Sequence, residues 1–219
     1  MTDQSDPEEL DVLIFAASLR GESLNKKLAR LAAEVAGQKG ATVDLVSMDE
    51  FDVPLYDGDI ETEEGIPEGA QKLRRRLLEN DAFIIASPEY NYSMPGTLKN
   101  LIDWTSRFRP QPFYERHGLL MSASPSMAGG NRGLWALRIP LEHLGARIFP
   151  NMFSLARAHE AFDGDKLANE GLQERFENNV EEFLGLAEAA KHYPCIRKAW
   201  VEFLGEPPGE GADRVDLLE

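Results

Sequence analysis

The sequence predicts an α/β fold in which a doubly wound, five-stranded parallel sheet carries helices on both faces. Short apolar runs alternate along the chain with longer segments of helical periodicity. The runs are apolar almost throughout, which is typical of strands that are buried on both faces. Strands that alternate with helices are joined as parallel neighbours by right-handed crossovers. With 219 residues, of which 42% are hydrophobic, the chain can form one domain with a buried core.

The first half of the chain gives two strands and two helices. Residues 12–17 form the first apolar run, and apolar side chains then recur every three or four residues between 24 and 35. This spacing predicts a helix, which Gly37 ends. A second strand is predicted at 42–46, and the segment 52–67, rich in Asp, Glu, Gly and Pro, is predicted to be a loop.

The second half continues the alternation. Pro67 can open a helix that runs to about residue 79, because a proline fits the first helical turn. The remaining predicted elements are a third strand at 82–86, a helix at about 96–108, a fourth strand at 118–123, a helix that ends near 143, a fifth strand that begins at 147–149 and a long amphipathic helix at about 166–191.

Composition predicts three regions: an acidic N-terminal tail at 1–10, the domain at 11–191 and a partly disordered C-terminal extension at 192–219. The net charge of −15 argues against binding to nucleic acid or to an anionic membrane surface. No apolar run is long enough to span a bilayer. The single cysteine, Cys195, cannot form an intramolecular disulfide, which fits a cytoplasmic location, and a packing role is expected for it.

In an open parallel sheet, ligands bind beyond the carboxyl ends of the strands, where the strand order reverses. For the order 2-1-3-4-5, that point lies between the first and third strands. The loops that follow Ala17 and Ala86 are therefore the candidate ligand loops.

The first of these loops runs from Ser18 to Asn25 and contains two serines, Arg20 and the start of a helix. Hydroxyls, free amides and a guanidinium together suit the phosphate of a mononucleotide. The loop lacks the glycine patterns of dinucleotide and Walker sites. The alternative is that Ser and Asn here only cap the helix.

Two further loops belong to the same edge. Residues 88–96 contain two prolines that flank two tyrosines. This segment can present amides and an aromatic side chain to a flat ring, and the alternative is that it forms an ordinary rigid turn. Residues 124–132 follow the fourth strand, and Gly129 and Gly130 would let a ring or a partner's backbone come close; the alternative is a flexible linker.

Three motifs resemble the NADPH-dependent FMN reductase family, which includes bacterial chromate and quinone reductases. These motifs are Ser18-Leu19-Arg20-x-x-Ser23-x-Asn25, then Val53-Pro54-Leu55-Tyr56-Asp57, and then Pro88-Glu89-Tyr90-Asn91-x-Ser93-x-Pro95-Gly96-x-Leu98-Lys99-Asn100-x-Ile102-Asp103-Trp104. The resemblance covers about residues 11–190 and implies a flavodoxin-like fold with strand order 2-1-3-4-5.

The resemblance also implies site residues and a cofactor. The FMN phosphate would be held by Ser18, Arg20, Ser23, Leu24 and Asn25. The flavin ring and ribityl chain would be lined by Pro88, Glu89, Tyr90 and Asn91, with Ser124 nearby. Lys99, Asn100, Asp103 and Trp104 would be structural. Family members are homodimers or homotetramers, and Arg132 is placed to reach a neighbouring subunit.

The resulting hypothesis is hydride transfer from NADPH or NADH to the flavin, followed by electron transfer to a small-molecule acceptor such as a quinone or free flavin. No protein side chain is predicted to be catalytic, and no metal is expected, because none of the four histidines lies in a motif or in metal-ligand spacing. The alternative is a flavodoxin-type electron carrier that does not itself turn over NAD(P)H.

Overall fold

The computed structural model describes residues 10–191. The N-terminal tail, apart from Leu10, and the C-terminal extension lie outside the described residues, as do Cys195 and His192. Within the described part, no helix is both long enough and apolar enough to cross a membrane.

The main sheet is parallel and has the predicted order, β2-β1-β3-β4-β5, with β6 also paired to β4. The strands are β1 (Asp11–Ala16), β2 (Thr42–Ser47), β3 (Ala82–Ala86), β4 (His117–Ala123), β5 (Arg147–Ile148) and β6 (Phe153–Leu155), and a separate hairpin pairs β7 (Phe162–Asp163) with β8 (Lys166–Leu167). The predicted fold class is therefore confirmed.

Helices cover both faces of the sheet and enclose two apolar cores. The helices are α1 (Leu24–Gln38), α2 (Gly58–Glu64), α3 (Glu68–Glu79), α4 (Gly96–Thr105), α5 (Asn131–His143), α6 (Ala158–Ala161) and α7 (Glu170–Lys191). On one face, α1 and α7 pack on the sheet through side chains such as Leu28 and Phe183. On the other face, α3, α4 and α5 pack through Leu73, Leu101 and Leu137.

The prediction of a loop throughout 52–67 was wrong, because α2 lies within it. The Asp57 side chain caps this helix by accepting a hydrogen bond from the Asp59 amide at 2.9 Å. No residue of α2 is buried. The helix has no apolar stripe facing a core, which is the signal on which the sequence prediction depended.

The predicted fifth strand is split into β5 and β6. Phe149 donates a ladder-like hydrogen bond to the Gly118 carbonyl at 2.8 Å, and Pro150 then has no N–H with which to continue. Downstream, the β7–β8 hairpin turns at Gly164, whose φ is 60°, so the last helix begins at Glu170 rather than near 166. The helix predicted at 96–108 ends at Thr105.

The register brings the carboxyl ends of three strands to one edge of the sheet. Ala16 of β1 pairs with Ala86 of β3, which in turn pairs with Met121 of β4. Hydrogen bonds continue past the strands, since Ala17 donates to the Ala86 carbonyl at 2.9 Å and Ser87 donates to the Met121 carbonyl at 2.8 Å. The three loops that follow these strands are therefore held side by side.

Candidate functional site

The loop between β1 and α1 contains two buried serines whose hydroxyls are unused by the protein. Ser18 and Ser23 are 5% and 7% exposed. Ser23 occupies the N-cap position of α1, but its side chain makes no capping hydrogen bond. Neither hydroxyl has a protein partner in the described part of the chain. The capping interpretation is therefore wrong for Ser23, and both hydroxyls are free for a ligand.

Positive charge and backbone amides complete this loop. Arg20 is exposed and has no ion pair or hydrogen bond with any residue between 10 and 191. Leu24 begins α1, and the amides of a first helical turn have no acceptor inside the helix. Hydroxyls, amides and a free guanidinium thus lie at the positive end of the α1 dipole, where an anion is stabilised.

Asn25 makes a pair of contacts that the sequence did not reveal. Its Nδ2 donates to the Ala123 carbonyl at 2.9 Å, and its Oδ1 accepts from the Ala123 amide at 2.9 Å. Asn25 is 3% exposed. Its side chain satisfies the last backbone groups of β4, so Asn25 has a structural role, and the expected phosphate contact stays a prediction.

The loop after β3 is a tight turn. Tyr90 and Ser93 exchange two backbone hydrogen bonds, of 2.9 and 3.0 Å. The residues between them, Asn91 and Tyr92, have φ of 50° and 68°. Two successive positive φ values are typical of a type I′ turn, which Asn tolerates and Tyr disfavours. The rigid turn was one of the two interpretations of this segment, and it leaves the Tyr90 ring exposed beside the half-buried Pro88.

The strained Tyr92 is held by Arg132. The Arg132 guanidinium lies 3.7 Å from the centre of the Tyr92 ring, within cation–π distance. Arg132 also approaches the Glu89 carboxylate at 3.4 Å. Arg132, which was expected to reach a neighbouring subunit, is thus engaged within its own chain and braces the turn.

Glu89 is bound through its carboxylate at the start of α5. Its carboxylate accepts a hydrogen bond from the Gly133 amide at 2.9 Å, in the first turn of α5. A carboxylate at a helix N-terminus is favoured by both the free amide and the helix dipole. Its side chain is only 10% exposed. The Glu89 side chain therefore joins the second loop to α5, and the expected contact of Glu89 with a flavin stays a prediction.

The third loop is folded tightly on its own chain. The Ser124 hydroxyl donates to the Ser126 hydroxyl at 3.1 Å and accepts from the Ser126 amide at 3.2 Å. Gly130 has φ of 83°, and a Cβ there would overlap the Ser122 hydroxyl. The glycine is needed for packing against β4, which differs from the expected role of admitting a ring or a partner's backbone. The backbone of Ser124 is also engaged, since its amide donates to the Leu155 carbonyl at 3.1 Å and its carbonyl accepts from the Ala158 amide at 3.0 Å.

The Val53–Asp57 motif is fastened to α4. The Pro54 carbonyl accepts hydrogen bonds from Asn100 Nδ2 at 2.7 Å and from Trp104 Nε1 at 2.8 Å. Asn100 Oδ1 accepts from the Tyr56 amide at 2.8 Å. These contacts give the polar side chains of α4 a role within this one chain, and the structural role predicted for Asn100 and Trp104 is confirmed.

A small polar network extends this contact. Tyr56 donates to Glu61 at 2.9 Å, and Arg107 Nε donates to the same carboxylate at 2.9 Å. The hydrogen bond to Glu61 raises the pKa of Tyr56. Desolvation alone would raise the pKa of Glu61, but the hydrogen bonds from Arg107 and Tyr56 outweigh it, so that pKa is lowered. Tyr56 therefore stays neutral and fixed beside α4.

Replacing Trp104 with phenylalanine should loosen this segment. The loss of one neutral hydrogen bond is expected to lower the free energy of unfolding by about 1 kcal/mol, with some added loss of packing. Amide hydrogen exchange should speed up at residues 53–57. Trp135→Phe is the matched control, because the Trp135 ring is 53% exposed. Equal exchange rates in both variants would show that Trp104 does not hold the segment.

Residues 10–191 contain no cluster of three or more His, Cys, Asp or Glu side chains that could hold a metal. Among the described residues, the groups left available at this edge are the donors of the first loop, the amides of Glu89 and Asn91 in the second loop, and the exposed ring of Tyr90. This set suits a ligand with a phosphate at one end and a flat ring at the other.

Comparison with known proteins agrees with this geometry. The model of the NADPH-dependent FMN reductase family matches residues 10–160. A quinone reductase of Escherichia coli K12 is 38% identical over 141 residues, which is 64% of this chain and 74% of the relative. An NAD(P)H-dependent FMN reductase of Pseudomonas aeruginosa is 32% identical over 177 residues, 78% of this chain and 93% of the relative.

A solved structure supports the same assignment. FerB, a flavoenzyme NAD(P)H:(acceptor) oxidoreductase of Paracoccus denitrificans, is 26% identical with a TM-score of 0.70, and the match covers 82% of this chain and 98% of FerB. The chain therefore belongs to the NADPH-dependent FMN reductase family.

Proposed function

We propose that this protein is an FMN-dependent oxidoreductase that takes hydride from NADPH or NADH and reduces a quinone, free flavin or a similar small acceptor. The observation that carries the proposal is that the hydroxyls of Ser18 and Ser23 have no partner in the described part of the chain and share a loop with the free Arg20 guanidinium. All three side chains can donate hydrogen bonds to a phosphate dianion, and hydrogen bonds to a charged acceptor are strong.

The chain's own groups have distinct roles in this proposal. Ser18, Ser23, Arg20 and the amide of Leu24 hold the FMN phosphate. Asn25 acts indirectly, by keeping α1 against β4. When bound, FMN supplies the centre that accepts hydride and passes electrons on, so the chain needs no acid–base pair of its own.

The second and third loops would define where the ring lies. The amides of Glu89 and Asn91 make no backbone hydrogen bond in the described part of the chain and can serve as donors, and the exposed Tyr90 offers an aromatic face. Donors placed near a ring that gains negative charge on reduction favour the reduced form. The two contacts that Glu89 makes with α5 keep these loops in register, which limits their reorganisation when a ligand binds.

The visible absorption spectrum of the purified protein tests this proposal. A bound flavin gives the protein a yellow colour, and anaerobic NADPH should bleach it, with recovery when a quinone is added. Steady-state oxidation of NADPH should then depend on the quinone concentration. A protein that remains colourless after incubation with FMN and desalting would overturn the proposal.

The same experiment separates the enzyme from a flavodoxin-type electron carrier. A carrier would take up FMN but would not bleach with NADPH or NADH at a useful rate. Relatives with the names quinone reductase and NAD(P)H-dependent FMN reductase favour the enzyme. Parallel assays with NADPH and NADH would establish which donor it prefers, and quinone and chromate are the first acceptors to compare.

We also propose that the chain assembles as a homodimer or homotetramer through the outer face of α5. Trp135 and Ile139 are 53% and 71% exposed, and their spacing of four residues puts them on one side of the helix. Tyr92, 67% exposed, lies against Arg132 at the start of the same helix. Neighbouring exposed apolar side chains of this size mark interaction surfaces.

Replacing Ile139 with lysine should shift the assembly toward the monomer, because a charge would be buried in the contact. Light scattering coupled to size exclusion measures the mass directly. Leu186→Lys is a suitable control, since Leu186 is 44% exposed on α7, on the other face of the sheet. A wild-type protein that is monomeric at micromolar concentration would contradict this assembly.

We also propose a reducing, cytoplasmic location for the protein, because the lone Cys195 cannot form an intramolecular disulfide.

A further inference from the structure

A cavity of about 370 Å³ lies between the start of α5, the β5–β6 connection and α7. None of its lining residues belongs to the first loop, so it is separate from the proposed phosphate site. Its polar lining consists of Asn131, Asn151, Ser154, Arg175 and Asn179. Such a volume is enough for a small anion or a short organic acid and is too small for a dinucleotide.

The charge of this lining is unusual for the chain. The whole protein carries a formal charge of −15, yet no Asp or Glu lines this cavity. Arg175 is exposed and stacks at 5.0 Å on the ring of Phe153. It forms no ion pair or hydrogen bond with any residue in the range 10–191. The Phe153 ring thus orients a guanidinium whose hydrogen-bond donors are available to a ligand.

Two lining residues have buried polar atoms without partners. Asn179 is 3% exposed; its Nδ2 donates to the Asn151 carbonyl at 2.7 Å, which leaves Oδ1 as the unpartnered acceptor. The hydroxyl of Ser154 is also buried and unpartnered. An acceptor and a hydroxyl left unsatisfied at the same cavity are a costly arrangement unless something polar binds there.

We propose that this cavity is a second anion site, which binds a small oxyanion that also carries a hydroxyl group, such as hydrogen phosphate or a hydroxycarboxylate. Arg175 and Ser154 donate to the anionic oxygens. The ligand's own hydroxyl donates to Asn179 Oδ1, a contact that a fully deprotonated anion such as sulfate cannot make. The site is thus built to discriminate between oxyanions of similar size by a single hydrogen bond.

The position of the site connects it with the flavin edge. Ala128 of the third loop and Asn131 of α5 both border the cavity. The next two residues of α5 are Arg132, which stacks on Tyr92, and Gly133, whose amide donates to Glu89. An anion held here would therefore stabilise the segment that joins the second and third loops, through contacts that do not touch the FMN phosphate.

Isothermal titration of the FMN-loaded protein with inorganic phosphate, and separately with sulfate, acetate and lactate at pH 7, tests the proposal. Loading with FMN fills the first loop, so the heat reports on the second site. Phosphate should bind more tightly than sulfate, and lactate more tightly than acetate. Absence of saturable binding by phosphate and by lactate would overturn the proposal. If the protein takes up no FMN, the same titrations on the apoprotein remain informative, because the variants below identify the site.

Arg175→Gln should weaken phosphate binding roughly 10- to 100-fold, the effect of losing a hydrogen bond to a charged partner. Arg75→Gln is the matched control: it removes the same charge from an exposed residue of α3, on the other face of the sheet. Asn179→Leu keeps the side-chain volume and should abolish the preference for phosphate over sulfate. Equal phosphate affinity in Arg175→Gln and Arg75→Gln would place the anion elsewhere and refute the assignment.

Discussion

Replacing Asn25 with alanine is expected to lower the free energy of unfolding of the apoprotein by about 2–5 kcal/mol, because two buried backbone groups lose their partner at once. The wild-type side chain joins both the amide and the carbonyl of Ala123, each at 2.9 Å. Alanine leaves an N–H and a C=O unpaired at the end of a buried strand. Urea unfolding followed by circular dichroism measures the change.

The control is Asn178→Ala, an exposed asparagine of α7, which should change stability by no more than about 0.5 kcal/mol. FMN affinity should also fall in Asn25→Ala, since the first loop loses its link to β4. A loss of stability below 1 kcal/mol would mean that the Ala123 groups find other partners, and that Asn25 is free to bind the phosphate after all.

Replacing Arg20 with alanine should weaken FMN binding by about 1.5–3 kcal/mol, which corresponds to roughly 10- to 150-fold in Kd. The guanidinium has no partner among the described residues, so its removal should leave the stability of the apoprotein unchanged. Ser23→Ala should weaken FMN binding in the same way, also without loss of stability, because Ser23 makes no capping bond. Flavin fluorescence titration gives the affinities.

Riboflavin isolates the phosphate contribution, since it has the same ring and ribityl chain. Wild type, Arg20→Ala and Ser23→Ala should bind riboflavin equally well. Arg30→Ala, an exposed residue of α1 farther from the loop, should bind FMN like the wild type. If Ser23→Ala destabilised the apoprotein by about 1 kcal/mol and left FMN affinity unchanged, helix capping would be the role of Ser23.

The sequence was sufficient for the sheet and for the prediction that the first and second loops lie at the same edge of it. Buried parallel strands are apolar on both faces, so runs such as 82–86 are unmistakable, and β3 has the predicted bounds. The rule that ligands bind at the reversal of strand order then placed the first and second loops together. Local periodicity and topology were enough to predict the strands and the placement of these two loops.

The side-chain roles were harder to predict, because they depend on contacts between distant segments. Glu89 was expected at the ring but binds α5, 44 residues farther along the chain. Arg132 was expected at a neighbouring subunit but stacks on Tyr92. A motif identifies which residues matter, whereas the partner of a long polar side chain is decided by packing that no local pattern records. The helix α2 was missed for a similar reason, since it buries nothing.

The hydrogen bonds between Asn25 and Ala123 span 98 positions of the sequence. During synthesis, the first loop emerges from the ribosome long before β4 does, and domains form their long-range contacts only when the later segment is available. A nascent chain that stops before residue 123 therefore has the residues proposed to bind the phosphate but lacks the last residue of β4, to which Asn25 is bonded. Cofactor capture by this protein must then wait until β4 has been made and has joined the sheet, which makes FMN a ligand of the nearly complete domain.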